Sequence, residues 1–402
     1  MALVVECKRG MSTLRASTLL FGLVLVAAPI PFLGGCLDSA SMGDDAGDQT
    51  PPFSGPGLPD GGTTNSDGAT TPSDGGTAPA DMAGPVGACA AITCGLHQHC
   101  DAALCICDTG FSMQGGVCKA SPVGDPATHT QADVCSKYTS SATVAPSFFS
   151  MTATTCDPGQ LTADGIANAV ARINYHRWLS GLAPVTNAQS SDNLAQKCAL
   201  VSAWNPAGPA AHTPAPAAEC YTADGAAGAG SSNIAWGSGT PVGAIDQWIQ
   251  DNGNSTTMGH RRWILNPPLD PVGFGMYVGG DAGYGSAACL VVFNQSGSGP
   301  RPDFVAYPPP GYIPVALAQT TWTFAGDGFN FSAPTVSVTR MSDNANLAVT
   351  IIPVQNPGGF NYPDATSWAP SGWTPMAGQI YRVSISAGTK SASYDVKPVG
   401  CP

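Results

Sequence analysis

The sequence predicts a multidomain chain built around a mixed helix-and-strand domain, α+β or α/β, with an all-β domain after it. Two observations carry that reading. Between residues 162 and 293, apolar side chains recur first at helical spacing and then in short alternating runs. Beyond residue 320, only alternating runs remain, separated by Gly, Asn and Pro turns. A chain of 402 residues has room for two or three domains.

The central elements follow in order. Thr162 or Asp164 can cap a helix that runs to about Ser180, with Ile166, Ala169, Val170 and Ile173 on one face and Gly181 as its stop. Ser190, Ser191 and Asp192 cap a second helix, whose Leu194, Cys198 and Val201 share a face. His212 lies in a Pro/Ala-rich loop. Residues 244–250 read as a short helix that carries Trp248 and ends at Asp251. Residues 259–265, Gly-His-Arg-Arg-Trp-Ile-Leu, read as an alternating strand in which Arg261, Arg262 and Trp263 brace the domain. Strands are expected at 272–278 and 288–293, with a Gly-rich turn between them.

Asn174, Arg177, Gly181, Leu182, Leu194 and His212 precede Asn233-Ile234-Ala235-Trp236, the Trp248 helix and Gly259-His260. In that order and spacing the central domain resembles the CAP domain family (cysteine-rich secretory proteins, antigen 5, pathogenesis-related 1), also called the SCP domain. The resemblance implies an α+β fold, a three-layer α-β-α sandwich, over residues 135–297. It also implies a cavity lined by two histidines and two acids. Position by position, His212 and His260 match the histidines. Asp251 stands where the second acid, a Glu, is expected, and Ser232 where the first is expected.

Two imidazoles and a carboxylate can hold Zn²⁺ with an open position for water. The resemblance therefore implies a zinc-type divalent metal on His212 and His260, and a metal-dependent hydrolase using His212, Asp251 and His260. The departures weigh against it, because losing a carboxylate at Ser232 removes the obvious general base. Glu219, near His212 in sequence, is a substitute. The plainer role has both histidines hydrogen-bonded and Asp251 balancing an arginine. The leading expectation is a binding protein whose CAP cleft holds a peptide, lipid or glycan. The alternatives are the hydrolase and a structural cell-envelope adhesion protein. Asn174 and Arg177 read as bonding the first helix to the sheet, His176 as a solvent-facing residue and His129 as part of a linker. No Gly-x-Ser-x-Gly turn is visible.

The flanks point to export. Lys8, Arg9 and Arg15 precede an apolar run at 19–30, and Leu33-Gly34-Gly35-Cys36 resembles a bacterial lipobox. That implies lipidation of Cys36, a signal peptide over 1–36, and a protein anchored to membrane lipid at the envelope of a bacterium. An ordinary cleaved signal or a membrane anchor is the alternative. Residues 37–88, rich in Gly, Pro, Thr and Asp, cannot bury enough apolar surface to order and read as a tether. A net charge of −12 with few Lys or Arg argues against binding nucleic acid.

Fourteen cysteines fit an oxidising compartment. Six fall within 89–118 in a pattern that resembles an EGF-like module. The resemblance implies Cys89–Cys100, Cys94–Cys105 and Cys107–Cys118, and no calcium. His97 and His99 beside these cysteines also allow a zinc knuckle, but disulfides suit an exported chain better. Residues 119–134 read as a linker. Proximity and elimination then suggest Cys135–Cys156, Cys198–Cys220 and Cys289–Cys401.

The C-terminal region, 298–402, begins with a proline-rich stretch to Pro314 that reads as a stiff connector. Alternating runs at 321–324, 335–340, 347–354, 380–386 and 391–396 then predict an immunoglobulin-like β-sandwich. Trp368, Trp373 and Tyr362 either pad loops or form an exposed carbohydrate platform.

Overall fold

The computed structural model of the chain describes residues 98–101, 104–107, 111–114, 117–120, 124–150, 155–280, 283–355 and 359–402. The signal segment with Cys36, the tether, and the three pairings expected within 89–118 lie outside the described residues. In that cysteine-rich segment the backbone forms two antiparallel hairpins, β1 (Gln98–Asp101) with β2 (Leu104–Cys107) and β3 (Phe111–Gln114) with β4 (Val117–Ala120). Cys105 is disulfide-bonded.

Helix α1 (Gln131–Ser141) starts inside the expected linker, because the Thr130 hydroxyl caps it by accepting from the Asp133 N–H. A two-residue pairing follows, β5 (Phe149–Ser150) with β6 (Gln160–Leu161). Helix α2 (Ala163–Leu179) is capped by Thr162, as expected. Helix α3 (Gln189–Trp204) has no side-chain cap; Asp192, expected to cap it, is buried and accepts from the Phe274 N–H. Helix α4 (Ala223–Ala229), strand β7 (Ser232–Trp236) and helix α5 (Pro241–Gln250) follow. The expected strand at 259–265 is instead a helix, α6 (Gly259–Ile264). The reason lies in its neighbours: Arg261, Arg262 and Ile264 are all buried, which a strand with one solvent face would not do. Strands β8 (Gly273–Val278) and β9 (Ser286–Val291) complete an antiparallel sheet of order β7-β9-β8.

Helices cover both faces of this sheet. On β9, Ala288 and Leu290 join the core that holds Ile173 of α2 and Trp248 of α5. Ala287, Cys289 and Val291 join a second core, with Ala195, Cys198 and Ala199 of α3. Period-two alternation thus feeds two helical layers. Helix α3 lies directly on β8 because that strand shows it Gly273 and Gly275. A Cβ on either would overlap the backbone of Ser191 or Ala195.

The proline-rich connector turns out to be structured. It supplies β10 (Phe304–Tyr307) and β11 (Gly311–Pro314). After a short helix α7 (Val315–Ala318) come β12 (Trp322–Gly326), β13 (Thr335–Arg340), β14 (Ala345–Leu347), β15 (Val349–Pro353), β16 (Ala365–Pro370), β17 (Tyr381–Ala387) and β18 (Lys390–Val399). They form two sheets, β10-β12-β16-β15 and β11-β18-β17-β13-β14. The run at 347–354 divides between the sheets. Trp322 meets Tyr381, and Phe304 and Phe324 meet Tyr394, so aromatic side chains join the two layers. Trp368 and Tyr362 are buried in this packing, which removes the exposed aromatic platform.

All three expected pairings outside 89–118 are corrected. The bridges are Cys135–Cys401, Cys156–Cys220 and Cys198–Cys289. Strand parity turns Cys289 toward α3, where Cys198 waits, so neither Cys220 nor Cys401 can claim them. The Cys135–Cys401 bridge closes the longest loop, tying α1 to the end of the chain.

Replacing Gly275 with Ala should destabilise the fold by about 1–3 kcal/mol through overpacking against α3. Urea unfolding followed by circular dichroism measures it. Gly124→Ala, with nothing near the added methyl, is the silent control.

Candidate functional site

Helix α5 ends where Asp251 takes a left-handed conformation, φ 53°, and the turn that follows brings the chain back so that α6 begins beside it. Asp251 Oδ1 lies 2.8 Å from His260 Nδ1 and accepts from Asn254 Nδ2 at 3.3 Å; Oδ2 accepts the Arg261 N–H at 3.2 Å. The Asp251 side chain is fully buried, while His260 is 21% exposed. An ionised carboxylate only accepts, so His260 Nδ1 carries the hydrogen. Asp251, expected to line a cavity, instead stands behind His260 and aims it. Asn233 Nδ2 donates to the His260 carbonyl at 3.0 Å and fastens α6 to β7.

His212 closes a short 3₁₀ turn, Pro209–His212, and its Nδ1 donates to the Ala229 carbonyl at the end of α4, 2.9 Å away. The ring is partly exposed. Ser232 is buried, and its Oγ has no hydrogen-bond partner. Along β7, Ser232 has the parity of Ile234, in the α3 core, and Asn233 that of Ala235, in the α5 core. The expected set therefore divides, with His212 and Ser232 toward α3 and α4, and Asp251 and His260 toward α5 and α6. Glu219 is exposed; Asn205 holds its backbone, not its carboxylate. Among the described residues, no three His, Cys, Asp or Glu side chains gather closely enough to hold a metal ion, so no metal-assisted step is derived from them.

The arginines behind this site are fully used. Arg177 donates to the carbonyls of Ala183, Ile264, Asn266 and Pro267, and so clamps the end of α6 rather than the sheet. Asn174 holds the α2–α3 connection, bonding both N–H and C=O of Val185. Arg261 donates to the carbonyls of Ile249, Gln250 and Thr321 and to the hydroxyls of Thr320 and Thr323. It also lies 4.9 Å over the Tyr307 ring. Arg262 reaches the carbonyls of Gln355, Tyr362 and Pro363 and lies 3.9 Å over Phe360. Burial lowers the pKa of Arg177 to about 9 and of Arg261 and Arg262 to about 10, which leaves each charged at neutral pH.

A second polar cluster escaped the sequence reading. His176, expected in solvent, is completely buried, with Nε2 3.0 Å from Asp246 Oδ1 and Nδ1 3.5 Å from the Tyr307 hydroxyl. Arg172 grips both Asp246 oxygens, at 2.7 and 2.9 Å. Burial tends to raise the Asp246 pKa, but hydrogen bonds from His176 and Arg172 outweigh it and hold it below the ordinary carboxylate value. Burial, with Arg172 and Arg261 nearby, pushes the His176 pKa down. The available signal was Arg172 and His176 four residues apart, on the buried side of α2. His129, expected in a linker, stacks on Trp178 at 3.8 Å.

The His176 shift fixes a pH dependence. The unfolded chain takes up a proton near pH 6.5 while the folded imidazole stays neutral. Stability should therefore fall as the pH drops below about 6.5 toward the depressed folded value. Urea melts at pH 7.5 and 5.5 should show that loss in the native protein and a smaller one in His176→Gln. For the other pair, ¹⁵N spectra should show His260 with its hydrogen on Nδ1. Asp251→Ala should abolish that preference and cost about 1–3 kcal/mol by stranding buried donors.

The comparisons agree with this geometry. Residues 170–294 match the family model CAP, described as the cysteine-rich secretory protein family. No curated protein matches the chain. The matched residues include α3, α4, α5, α6, all three strands of the central sheet and both histidines of the site. The central domain of this chain is a CAP domain of the cysteine-rich secretory protein family.

Proposed function

We propose that this is an exported protein, lipid-anchored through Cys36 to a bacterial cell envelope, whose CAP domain binds a peptide or glycan. One observation carries the proposal: a partly exposed imidazole, His260, held in one orientation by a fully buried carboxylate, Asp251. Aiming a side chain in this way orders it before a ligand arrives, which lowers the entropic cost of binding. A fixed, partly solvated imidazole suits hydroxyl and amide partners, so glycans and peptides are favoured over lipid tails. Three disulfides among the described residues support an oxidising, extracytoplasmic setting. We read the cysteine-rich segment as an EGF-like module, and the C-terminal sheets as an immunoglobulin-like sandwich that stiffens the CAP domain.

The test is calorimetric titration of the exported chain with cell-wall glycan fragments, peptide mixtures and Zn²⁺. Saturable glycan or peptide binding, weakened about tenfold by His260→Ala, is expected; tenfold corresponds to about 1.4 kcal/mol. No binding, or binding indifferent to His260, would sink the reading in favour of a structural role. Zinc binding that needs both His212 and His260 would replace it with the metal-dependent hydrolase.

A further inference from the structure

Between α6 and the outer face of the β10-β12-β16-β15 sheet lies a cavity with about 30 Å³ of free space. By the size of a water molecule, such a space takes a group of about two to four heavy atoms. Leu265, Val305, Ala325 and Phe360 give it apolar walls. Its polar end is formed by Arg261, Arg262 and Asn266.

Asn266 is the informative residue. It is 2% exposed, and its Oδ1 accepts the Asn361 N–H at 2.9 Å. Its Nδ2 has no hydrogen-bond partner. A buried amide donor without an acceptor costs about 1–3 kcal/mol. The two guanidinium groups beside it make their described hydrogen bonds to neutral carbonyl and hydroxyl oxygens. Their charges are therefore offset only at longer range, by Asp251 for Arg261 and Asp364 for Arg262. Positive potential, an unsatisfied donor and an apolar wall meet at one small space.

We propose that this cavity binds a small organic carboxylate of the size of acetate or propionate, with one oxygen on Asn266 Nδ2 and the alkyl end against Val305 and Ala325. The carboxylate supplies the missing acceptor and a charge opposite to that of the two arginines, in surroundings where such attraction is weakly screened. The site lies at the seam between the CAP domain and the C-terminal sheets and does not depend on the ligand proposed for His260.

The test is calorimetric titration of the exported chain with sodium acetate and sodium propionate, beside acetamide as a neutral isostere. Saturable binding of the carboxylates, at least tenfold stronger than acetamide, is expected. Ala325→Leu, which fills the space from the sheet, should abolish it. So should Asn266→Asp, which keeps the acceptor for Asn361 but replaces the donor with a negative charge. Absence of saturable binding, equal binding of acetamide, or binding that survives both substitutions would overturn the proposal. The acetate-to-acetamide comparison uses the native protein, so it stands even if a variant fails to fold.

Discussion

The saturation of two buried guanidinium groups governs this structure. Taking such a cation out of water costs several kcal/mol, offset only when its N–H groups find acceptors. Arg177 and Arg261 meet that demand with carbonyls drawn from 249–250, 264–267 and 321. Those carbonyls bracket the segment that carries Asp251, His260 and Asn266. Arg261 also reaches across the seam to Thr320, Thr321 and Thr323. The CAP domain and the C-terminal sheets consequently share one continuous core, which runs from Ile173 and Trp248 through Tyr307 to Trp322 and Val383.

The covalent and polar ties follow the same seam. Cys135–Cys401 fixes the last residues of the chain to α1, and Tyr307 reaches His176 from the β10 side. Cys198–Cys289 fastens α3 to the central strand β9, where the glycines of β8 already allow close approach. Each tie joins elements far apart in sequence, so the order of the layers is set by contacts that no local segment makes alone.

At the site, the chain has used one acid for positioning. Asp251 is out of solvent and spends its oxygens on His260, Asn254 and the Arg261 N–H. With Ser232 in place of a second acid, the two histidines are left with separate supports: a carboxylate for His260 and a backbone carbonyl for His212. Each support fixes a hydrogen on Nδ1 and thereby the hydrogen-bonding character of the ring. That is an arrangement for recognition through oriented imidazoles, and it asks nothing of Ser232.

Local patterns were legible because they are written in neighbouring residues. Thr162 and the spacing of Ile166, Ala169 and Ile173 announced α2, and strict alternation at 335–340 announced β13 to the residue. The order of Asn174, Arg177, His212 and Gly259-His260 pointed to the CAP domain. What failed depended on distant partners. Residues 259–265 alternate like a strand, yet the carbonyls that Arg261 and Arg262 satisfy exist only in the assembled fold, and there the segment is a helix. His176 looked like a surface residue because Asp246 and Tyr307, seventy and more residues away, were not yet beside it. The cysteines paired by sheet parity, not by proximity along the chain. By itself the sequence determined the helices, most strands and the family of the central domain, since caps, periodicity and motif order are local. Only the tertiary structure decided the disulfides, the buried charges, the role of Asp251 and the union of the two domains, because each rests on burial and contacts across long stretches of chain.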